Sequence, residues 1–292
     1  MSTTTKIAAV QTDLKFAQPD ANRQMMGQKL ELAAAAGARV VAFPECSVTG
    51  YCFDSRDEAV RVAETLPGPS TEYFSALCRQ TGAYVVFGTL ERAGDDLYNA
   101  CALVGPEGYI GTYRKTHLPY LGVDRFTTPG RDPYRVWETQ VGRIGMNICY
   151  DLAFPEAARS LALLGADLIV LPTNWPPGAE CTAEFMVPAR ALENHLFYLA
   201  VNRVGTEHGF RFIGRSRICN VHGNLMAAAG DVEEVTLMAE CDLQLARNKH
   251  IVRVPELHEI DRFEDRRPEL YGQLVAPNPK FGSLRRSKQQ GK

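Results

Sequence analysis

The stretch VGRIGMNICYDLAFPE, residues 141–156, passes from an apolar run through one cysteine into the start of a helix. The run from Gly142 to Ile148 carries no charge after Arg143, which is typical of a buried strand. Pro155 suits the first turn of a helix over 155–164. Cys149 is therefore predicted in a strand-to-helix turn, where backbone N–H groups and the helix dipole favour its thiolate. By position alone, it is either a nucleophile or one more buried apolar cysteine.

The same order of elements occurs twice along the chain. The segments GARVVAFP at 37–44 and GADLIVLP at 165–172 share spacing and character, and a predicted helix precedes each. A predicted hairpin follows in each half, with its turn at 105–108 and at 221–223. This repeat predicts an α/β fold in which two mixed sheets pack face to face with helices outside. The alternative is a chance likeness between two α/β segments.

Hydrophobic periodicity and breaker residues predict the remaining elements. The predicted strands cover 6–10, 39–43, 83–89, 98–104, 109–114, 142–148, 165–172, 197–202, 212–219 and 224–228. Helices are predicted over 20–36, 58–65, 71–80, 155–164 and 183–195, with Asp20 capping the first and Gly37 ending it. One domain is predicted over 1–253. Residues 254–292 are predicted to form a polar arm, over the body or toward a partner subunit, with a solvated tail at 283–292.

The composition excludes several classes of protein. Of the 292 residues 45% are hydrophobic and 23% charged, as in ordinary globular proteins with ample core. The formal net charge is −2 and no basic block precedes the last ten residues, so no nucleic-acid partner is predicted. No run approaches a membrane span, and MSTTTKIAAVQTDL lacks the apolar core of a signal peptide. The eight cysteines include no C-x-x-C pair, which favours a reducing compartment and predicts a cytoplasmic protein.

Three side chains with useful chemistry stand where strand-like runs end. Glu45 follows RVVAFP, Lys115 follows YIGTYR and Cys149 follows IGMNI. Ligands tend to bind beyond strand ends in sheet-based folds, so these residues are predicted to converge. The glutamate can take the thiol proton, and the ammonium and the Tyr150 backbone N–H can stabilise an oxyanion. Taken singly, Glu45 and Lys115 are better explained as surface charges than as catalytic groups, so their joint occurrence is the evidence.

Other catalytic signatures are absent from the sequence. It contains no G-x-S-x-G, H-E-x-x-H, Walker loop or G-x-G-x-x-G, and its six histidines are dispersed. His117, two residues after Lys115, either orients that lysine, lines a pocket or is a satisfied structural histidine. The cysteine, glutamate and lysine therefore remain the best candidates for chemistry.

These residues carry a resemblance to a known family. FPE at 43–45, YRKTHLP at 113–119 and GRIGMNICYDLAFPE at 142–156 resemble the three signatures of the nitrilase, or carbon–nitrogen hydrolase, superfamily. The resemblance also takes in GADLIVLPTNWP at 165–176 and RALENHLFYLAVNRVG at 190–205. It implies a four-layer αββα sandwich that forms a homodimer or larger homo-oligomer. It also implies Glu45 as general base, Lys115 as oxyanion stabiliser and Cys149 as nucleophile, with no metal and no cofactor.

One segment departs from the family pattern. Many members carry a second glutamate that helps to position the substrate between the lysine motif and a later F-x-P-G. Here the segment is LGVDRFTTPG at 121–130, whose only carboxylate, Asp124, lies one residue nearer to Pro129-Gly130 than that glutamate. Asp124 replaces the glutamate, Val123 occupies its place, or a shifted loop restores the geometry. The structural alternative for Asp124 is a salt bridge with a neighbouring arginine.

The resemblance also narrows the substrate class. Tyr150-Asp151 followed by FPE resembles the amidase and carbamoylase branches, whereas true nitrilases tend to carry tryptophan and glutamate after the cysteine. A small amide or N-carbamoyl compound is therefore favoured over a nitrile. Asn174 and Trp175 are predicted pocket walls beside Tyr150, although Trp175 can equally pack the end of the sandwich. An amine-accepting acyl transferase and a binding or redox protein with a reactive Cys149 remain alternatives.

Overall fold

The computed structural model describes residues 4–278, in which strands and helices alternate over most of the chain. The strands are Thr5–Gln11 (β1), Val40–Ala42 (β2), Tyr84–Ala93 (β3), Asp96–Gly105 (β4), Gly108–Arg114 (β5), Val136–Thr139 (β6), Gly142–Met146 (β7), Leu168–Thr173 (β8), Phe197–Asn202 (β9), Thr206–Glu207 (β10), Phe210–Arg211 (β11), Arg217–Cys219 (β12), Leu225–Ala228 (β13), Val235–Cys241 (β14), His250–Val254 (β15) and His258–Asp261 (β16). The α-helices are Pro19–Ala35 (α1), Arg56–Val62 (α2), Pro69–Thr81 (α3), Pro155–Leu163 (α4) and Val187–Asn194 (α5).

Within residues 4–278 twelve of the strands form two six-stranded sheets with matching topology. Their orders are β14-β1-β2-β3-β4-β5 and β13-β12-β9-β8-β7-β6. In the first sheet β1, β2 and β3 are parallel and the other neighbours antiparallel, and in the second β7, β8 and β9 are the parallel strands. Helices α1 and α4 connect the first two parallel strands of their sheets. This matching connectivity confirms the internal repeat predicted from GARVVAFP and GADLIVLP.

The parallel strands are buried, as expected for strands covered on both faces. Every residue of β8 and β9 is buried. Strand β1 contacts β9 and β3 contacts β8, so the two sheets touch each other, while α1 and α3 contact the first sheet and α5 the second. Met26, Leu30 and Phe74 of the helices pack with Phe87 of β3 in one core cluster. The α/β class is confirmed, and the four-layer order stays a prediction.

Two helix starts differ from the predictions. Helix α1 begins at Pro19 with Gln18 before it, so the prediction that Asp20 caps the helix is wrong. Proline is preorganised for the first helical position, so Asp20 lies in the first turn. There the helix dipole stabilises its negative charge. Helix α2 begins at Arg56, two residues before its predicted start, because the Ser55 hydroxyl accepts a hydrogen bond from the Glu58 N–H.

Two predicted elements are shorter than the sequence pattern indicated. The helix predicted over 183–195 divides into a π-helical turn at Thr182–Met186 and α5. A single regular helix from residue 183 would need an N–H donor at residue 188, and Pro188 has none. The segment therefore forms a π-helical turn first, and α5 begins next to the proline. The strand predicted over 212–219 contracts to β12, because Gly214 and Arg215 have left-handed φ angles of 59° and 60°.

By its internal contacts the chain divides into two compact units between Lys249 and His250. The first contains both large sheets. In the described part of the second, hairpin β15–β16 is followed by 3-10 turns at Pro268–Leu270 and Gly272–Leu274. The predicted start of the arm at 254 thus lies at the end of β15, and the predicted tail at 283–292 lies outside the described residues. Along 4–278, every helix is too short or too polar to cross a bilayer.

Candidate active site

The predicted residues lie at strand ends of the two sheets. Glu45 comes three residues after β2, Cys149 three after β7, and Lys115 directly after β5. Strand β5 runs in the same direction as β2, because two antiparallel pairings separate β5 from β3. The Asn174 Nδ2, just beyond β8, donates to the Glu45 backbone oxygen at 2.9 Å. This hydrogen bond joins the corresponding edges of the two sheets.

Five buried side chains form one hydrogen-bonded cluster. The Lys115 Nζ lies 2.6 Å from the Glu45 Oε1 and 2.6 Å from the Asp124 Oδ2. The Asn99 Nδ2 donates to the same Glu45 oxygen at 2.7 Å and to the Asp124 Oδ1 at 2.8 Å. Tyr51 donates its hydroxyl to the Asp124 Oδ2 at 2.8 Å. Glu45 and Lys115 are 0% exposed and Asp124 is 4% exposed.

The backbone of Lys115 is held on both sides. Its N–H donates to the Asn99 carbonyl at 2.8 Å, and its carbonyl accepts from the Gly130 N–H at 2.8 Å. An ammonium has three N–H donors, and the two carboxylates take two of them. Among residues 4–278 no acceptor takes the third. Lys115 therefore retains one donor for a bound molecule.

The Glu45 turn packs closely against β3. A Cβ on Gly88 would lie 2.4 Å from the Cys46 backbone nitrogen and 2.7 Å from the Glu45 Cα, so only glycine fits there without movement. The Gly88 N–H in turn donates to the Pro44 carbonyl at 3.2 Å. The second carboxylate oxygen, Glu45 Oε2, is buried and has no hydrogen-bond partner within the described range 4–278.

Cys149 has an unusual backbone and a shifted titration. It begins the five-residue 3-10 turn Cys149–Ala153 with φ 46°, a left-handed value that costs a residue other than glycine about 1–3 kcal/mol. Burial and the charge of Glu45 raise the pKa of Cys149 to about 12, although Lys115, Thr173 and the Asn174 backbone lower it. The prediction that the turn favours a thiolate is wrong, since burial outweighs the local dipoles.

The charged residues of the cluster shift each other's pKa values. Burial raises the pKa of Glu45, Lys115 opposes this and Asp124 adds to it. Burial alone would lower the pKa of Lys115, but the charges of Asp124, Glu45 and Cys149 outweigh it and hold that pKa well above its usual range. Lys115 therefore stays an ammonium. Because Glu45 and Lys115 both act electrostatically on Cys149, the three predicted residues share one neighbourhood.

A buried carboxylate joins the lysine segment to the cysteine turn. The Asp151 Oδ1 accepts from the His117 backbone N–H at 3.0 Å and lies 2.7 Å from its Nδ1. The Asp151 Oδ2 accepts from the Tyr113 hydroxyl at 2.8 Å and from the Ile148 N–H at 2.9 Å. The His117 ring also stacks on Phe154, with centroids 3.7 Å apart. His117 is thus satisfied structurally.

The remaining predicted residues differ in burial and in the contacts they make. Among residues 4–278, Asp124 pairs with Lys115 and with no arginine, so the alternative of a salt bridge with a neighbouring arginine is wrong. Val123 is buried in an apolar cluster. Tyr150 is 37% exposed and its ring meets Phe154 edge-on, whereas Trp175 is 3% exposed.

Sequence reasoning missed two residues of the cluster and one beside it. Asn99 and Tyr51 bond directly to Asp124, and Asp151 holds the two neighbouring segments. Asn99 left one signal: it is a buried polar residue in β4 at a position where the alternation predicts an apolar side chain. Within 4–278, histidine, cysteine, aspartate and glutamate form no group of three that could hold a metal ion.

The fold and the buried carboxylate, ammonium and cysteine define a hydrolase class that comparison with known proteins identifies. Residues 6–250 match the carbon-nitrogen hydrolase family model. The chain belongs to this family, also called the nitrilase superfamily, and is an enzyme acting on C–N bonds other than peptide bonds.

Three known proteins illustrate the similarity. A nitrilase from Pyrococcus abyssi is 40% identical, over 91% of this chain and 98% of its own. An N-carbamoylputrescine amidase from Solanum lycopersicum is 32% identical, over 82% and 84%. An amidase from Nesterenkonia sp. AN1, in a structure with the acetamide moiety of fluoroacetamide added to its active site cysteine, superposes with a TM-score of 0.76 at 22% identity, covering 93% and 97%. The last likeness concerns the fold alone.

Proposed function

We propose that the protein hydrolyses the C–N bond of a small amide or N-carbamoyl compound through a thioester at Cys149. The observation that carries this proposal is the asymmetry of the Glu45 carboxylate. One oxygen is bound to Lys115 and Asn99, while the other is buried and has no partner within residues 4–278. A buried, unpaired carboxylate oxygen beside a protonated thiol is suited to act as a general base.

The first half of the reaction follows from these groups. Glu45 Oε2 takes the Cys149 proton as the sulfur attacks the substrate carbonyl carbon, because a thiol with a pKa of about 12 cannot ionise unaided at neutral pH. The third N–H of Lys115 and the Tyr150 backbone N–H stabilise the oxyanion of the tetrahedral intermediate. Glu45 returns the proton to the leaving nitrogen, the C–N bond breaks, and the acyl group remains on sulfur.

The second half restores the enzyme. Glu45 removes a proton from water, and the resulting hydroxide attacks the thioester carbonyl. The C–S bond then breaks, the Glu45 proton returns to the sulfur, and the acid is released. For an N-carbamoyl substrate the carbamoyl group follows the same path, with an amine leaving first. Lys115 holds the oxyanion in both halves.

Residues around the cluster complete the proposed site. Asp124 has both oxygens bonded to protein groups, which supports a role in holding Lys115 rather than in proton transfer. Asn174 has a buried Oδ1 without a partner along 4–278, so it supplies an acceptor for a substrate N–H. Tyr150 and Trp175 form the walls of the pocket.

A nitrile is the second candidate substrate. The Pyrococcus abyssi relative at 40% identity is named a nitrilase, whereas Tyr150-Asp151 after the cysteine favours an amide. An amine-accepting acyl transferase would use the same thioester but discharge it to an amine instead of water. These alternatives differ in the substrate that forms the adduct and in the acceptor that removes it.

The assembly and location of the protein are also proposed. Exposed apolar side chains on and beside α4 and α5, namely Leu163, Leu164, Phe185 and Leu192, support a homodimer or larger homo-oligomer. All eight cysteines are unpaired, which supports the predicted cytoplasmic location. Light scattering on the full chain tests the assembly, and a monomer mass at micromolar concentration would contradict it.

The test of the proposed function follows ammonia or amine release from a panel of simple amides, N-carbamoyl compounds and nitriles, with and without amine acceptors. Intact-mass spectra taken during turnover should show an acyl adduct that maps to Cys149. Cys149→Ala should abolish both release and adduct while the far-UV circular dichroism is unchanged. The matched control is Cys181→Ala, at an exposed cysteine, which should retain full activity. Release from no member of the panel would contradict the proposal.

A further inference from the structure

We infer that Asn99 is a positioning residue that holds the carboxylates of Glu45 and Asp124 in fixed places around the Lys115 ammonium. The inference rests on the proposed function, because its consequence is that one oxygen of Glu45 stays free for Cys149. Asn99 is buried near the start of β4, and it contacts the three charged residues without carrying a charge itself.

Asn99 uses its amide group completely. A primary amide offers two N–H donors and one oxygen acceptor. One N–H goes to the Glu45 Oε1 at 2.7 Å and the other to the Asp124 Oδ1 at 2.8 Å. The Asn99 Oδ1 lies 3.6 Å from the Cys46 sulfur, which donates to it. The Asn99 backbone carbonyl also accepts from the Lys115 N–H.

The charges explain why a neutral double donor belongs here. Two buried carboxylates face a single ammonium, so the ionised cluster has a net charge of −1. Like charges at short range oppose the ionisation of one another, and hydrogen bonds to the charged form favour it. Asn99 supplies one such bond to each carboxylate. An aspartate at this position would add a third negative charge and remove both donors.

The same bonds determine which oxygen of Glu45 is available. The Oε1 atom receives both the Lys115 and the Asn99 hydrogen bonds, which leaves Oε2 unpaired among residues 4–278. Without Asn99, a single bond to Lys115 would hold the carboxylate, and rotation would exchange the two oxygens. Asn99 thus acts on the proposed base through its position.

Cys46 sets the direction of the Asn99 amide. If the amide turned over, its oxygen would face two carboxylates, which repel it, and its NH₂ group would face the thiol. Burial raises the pKa of Cys46 well above its ordinary value, so the sulfur keeps its proton and remains a donor. The Cys46 backbone is itself fixed, because its nitrogen lies against Gly88.

The acidic limb of the pH–rate profile depends on the hydrogen bond from Asn99 to Glu45. The titratable groups that act on Glu45, or on which Glu45 acts, are Lys115, Asp124, Cys149, Cys46, Tyr51 and Cys101. The Asn99 hydrogen bond lowers the pKa of Glu45, so its removal raises that pKa. Glu45 then loses its negative charge at a higher pH, and any reaction that needs it as a base loses rate there.

The experiment compares wild type with Asn99→Ala, Asn99→Asp and the exposed control Asn224→Ala. Two readouts are followed from pH 4 to 8: kcat and KM on the best amide of the panel, and the iodoacetamide alkylation rate of Cys149 by peptide mapping. The alkylation readout needs no substrate, so it separates this inference from the proposed function. Glu45→Gln identifies the part of the alkylation profile that depends on Glu45.

Asn99→Ala should lower kcat about 10- to 100-fold with KM little changed, and should move the acidic limb of both profiles to higher pH. Asn99→Asp should move it further, and Asn224→Ala should match wild type. An acidic limb unmoved in folded Asn99→Ala and Asn99→Asp proteins would overturn the inference. A shifted alkylation limb in an enzyme that releases no ammonia from any substrate would support Asn99 and refute the proposed function.

Discussion

The two halves of the repeat contribute different chemistry to one site. The half before residue 125 provides every charged member of the cluster, namely Glu45, Lys115 and Asp124. The second half provides Cys149, with a neutral thiol, and Asn174. Glu45 directly follows GARVVAFP, and Thr173 directly follows GADLIVLP. The second half therefore has a threonine at the position of the glutamate. The same backbone connectivity therefore supports an electrostatic environment in one half and the proposed nucleophile in the other.

The two halves also differ in what their sites cost the folded state. The first half buries three charged side chains, whose loss of hydration must be offset by their mutual attraction and by Asn99 and Tyr51. The second half holds Cys149 at a φ of 46°, which costs backbone energy instead. Substitutions in the first half should therefore change pH profiles as well as rates. Substitutions in the second half should change rates mainly through the position of Cys149.

The largest expected effect is that of Glu45→Gln, which separates the two actions of Glu45 on Cys149. Its charge raises the pKa of the thiol, yet we propose it as the base that activates that thiol. The variant should therefore have a lower Cys149 pKa and, at the same time, about 10³-fold lower kcat. Peptide-resolved alkylation of Cys149 above pH 8 measures the pKa, and ammonia release measures kcat. A faster enzyme with a lower pKa would show that Glu45 acts only through its charge.

Lys115→Ala should lower kcat/KM about 10²- to 10³-fold, because the proposed oxyanion donor is lost. It should also lower the free energy of unfolding by about 3–5 kcal/mol, since Glu45 and Asp124 lose their buried cation. The control Lys29→Ala removes a partly exposed pair with Glu234, at 3.1 Å, and should change stability by less than about 1 kcal/mol.

The double variant Lys115→Ala/Asp124→Asn separates stability from catalysis. Its cluster contains a single carboxylate, so urea unfolding should show that much of the stability returns. Activity should stay low, because the donor for the oxyanion is still absent. Recovery of the rate in this variant would mean that Lys115 only balances charge.

The sequence located residues that end strands better than residues inside them. Glu45, Lys115 and Cys149 each close an apolar run, so their places could be predicted, although their roles stay proposals. Asn99 lies within a strand, and its one signal is a polar side chain at a position where the alternation predicts an apolar one. The Cys149 pKa was predicted in the wrong direction, because burial and the Glu45 charge, which raise it most, come from residues far apart in sequence.

Element types were predicted more accurately than element ends. Helix α5 and strand β12 begin later than the periodicity indicated, because Pro188 and the left-handed pair Gly214-Arg215 interrupt the backbone. The departure of Asp124 from the family pattern also shows that local backbone geometry is hard to predict from sequence. The sequence left three interpretations of it open, and the 3-10 turn Gly122–Arg125 brings this shorter carboxylate to Lys115. Local turn geometry of this kind depends on the tertiary contacts of Tyr51.

A smaller effect is expected where the two halves are joined. Asp151→Asn replaces an acceptor of bonds from Ile148, Tyr113 and His117 by an amide whose NH₂ group faces donors. The Cys149 turn should then shift against the Lys115 segment, which lowers kcat/KM about 10- to 100-fold. The control Asp95→Asn, at an exposed turn position, should be neutral in both activity and melting temperature. Wild-type activity in folded Asp151→Asn would show that the halves hold their places without this carboxylate.

The smallest expected effect is that of Gly88→Ala, which moves the first half of the site without touching a charge. The added Cβ would lie 2.4 Å from the Cys46 nitrogen, so the Glu45 turn must shift away from β3. We expect about a tenfold loss of kcat/KM and a stability loss of about 1–3 kcal/mol. The control Gly272→Ala, where a Cβ meets nothing within 4 Å, should change neither. Because Glu45 keeps its charge but not its place, a normal rate in Gly88→Ala would show that the charge of the first half matters more than its geometry.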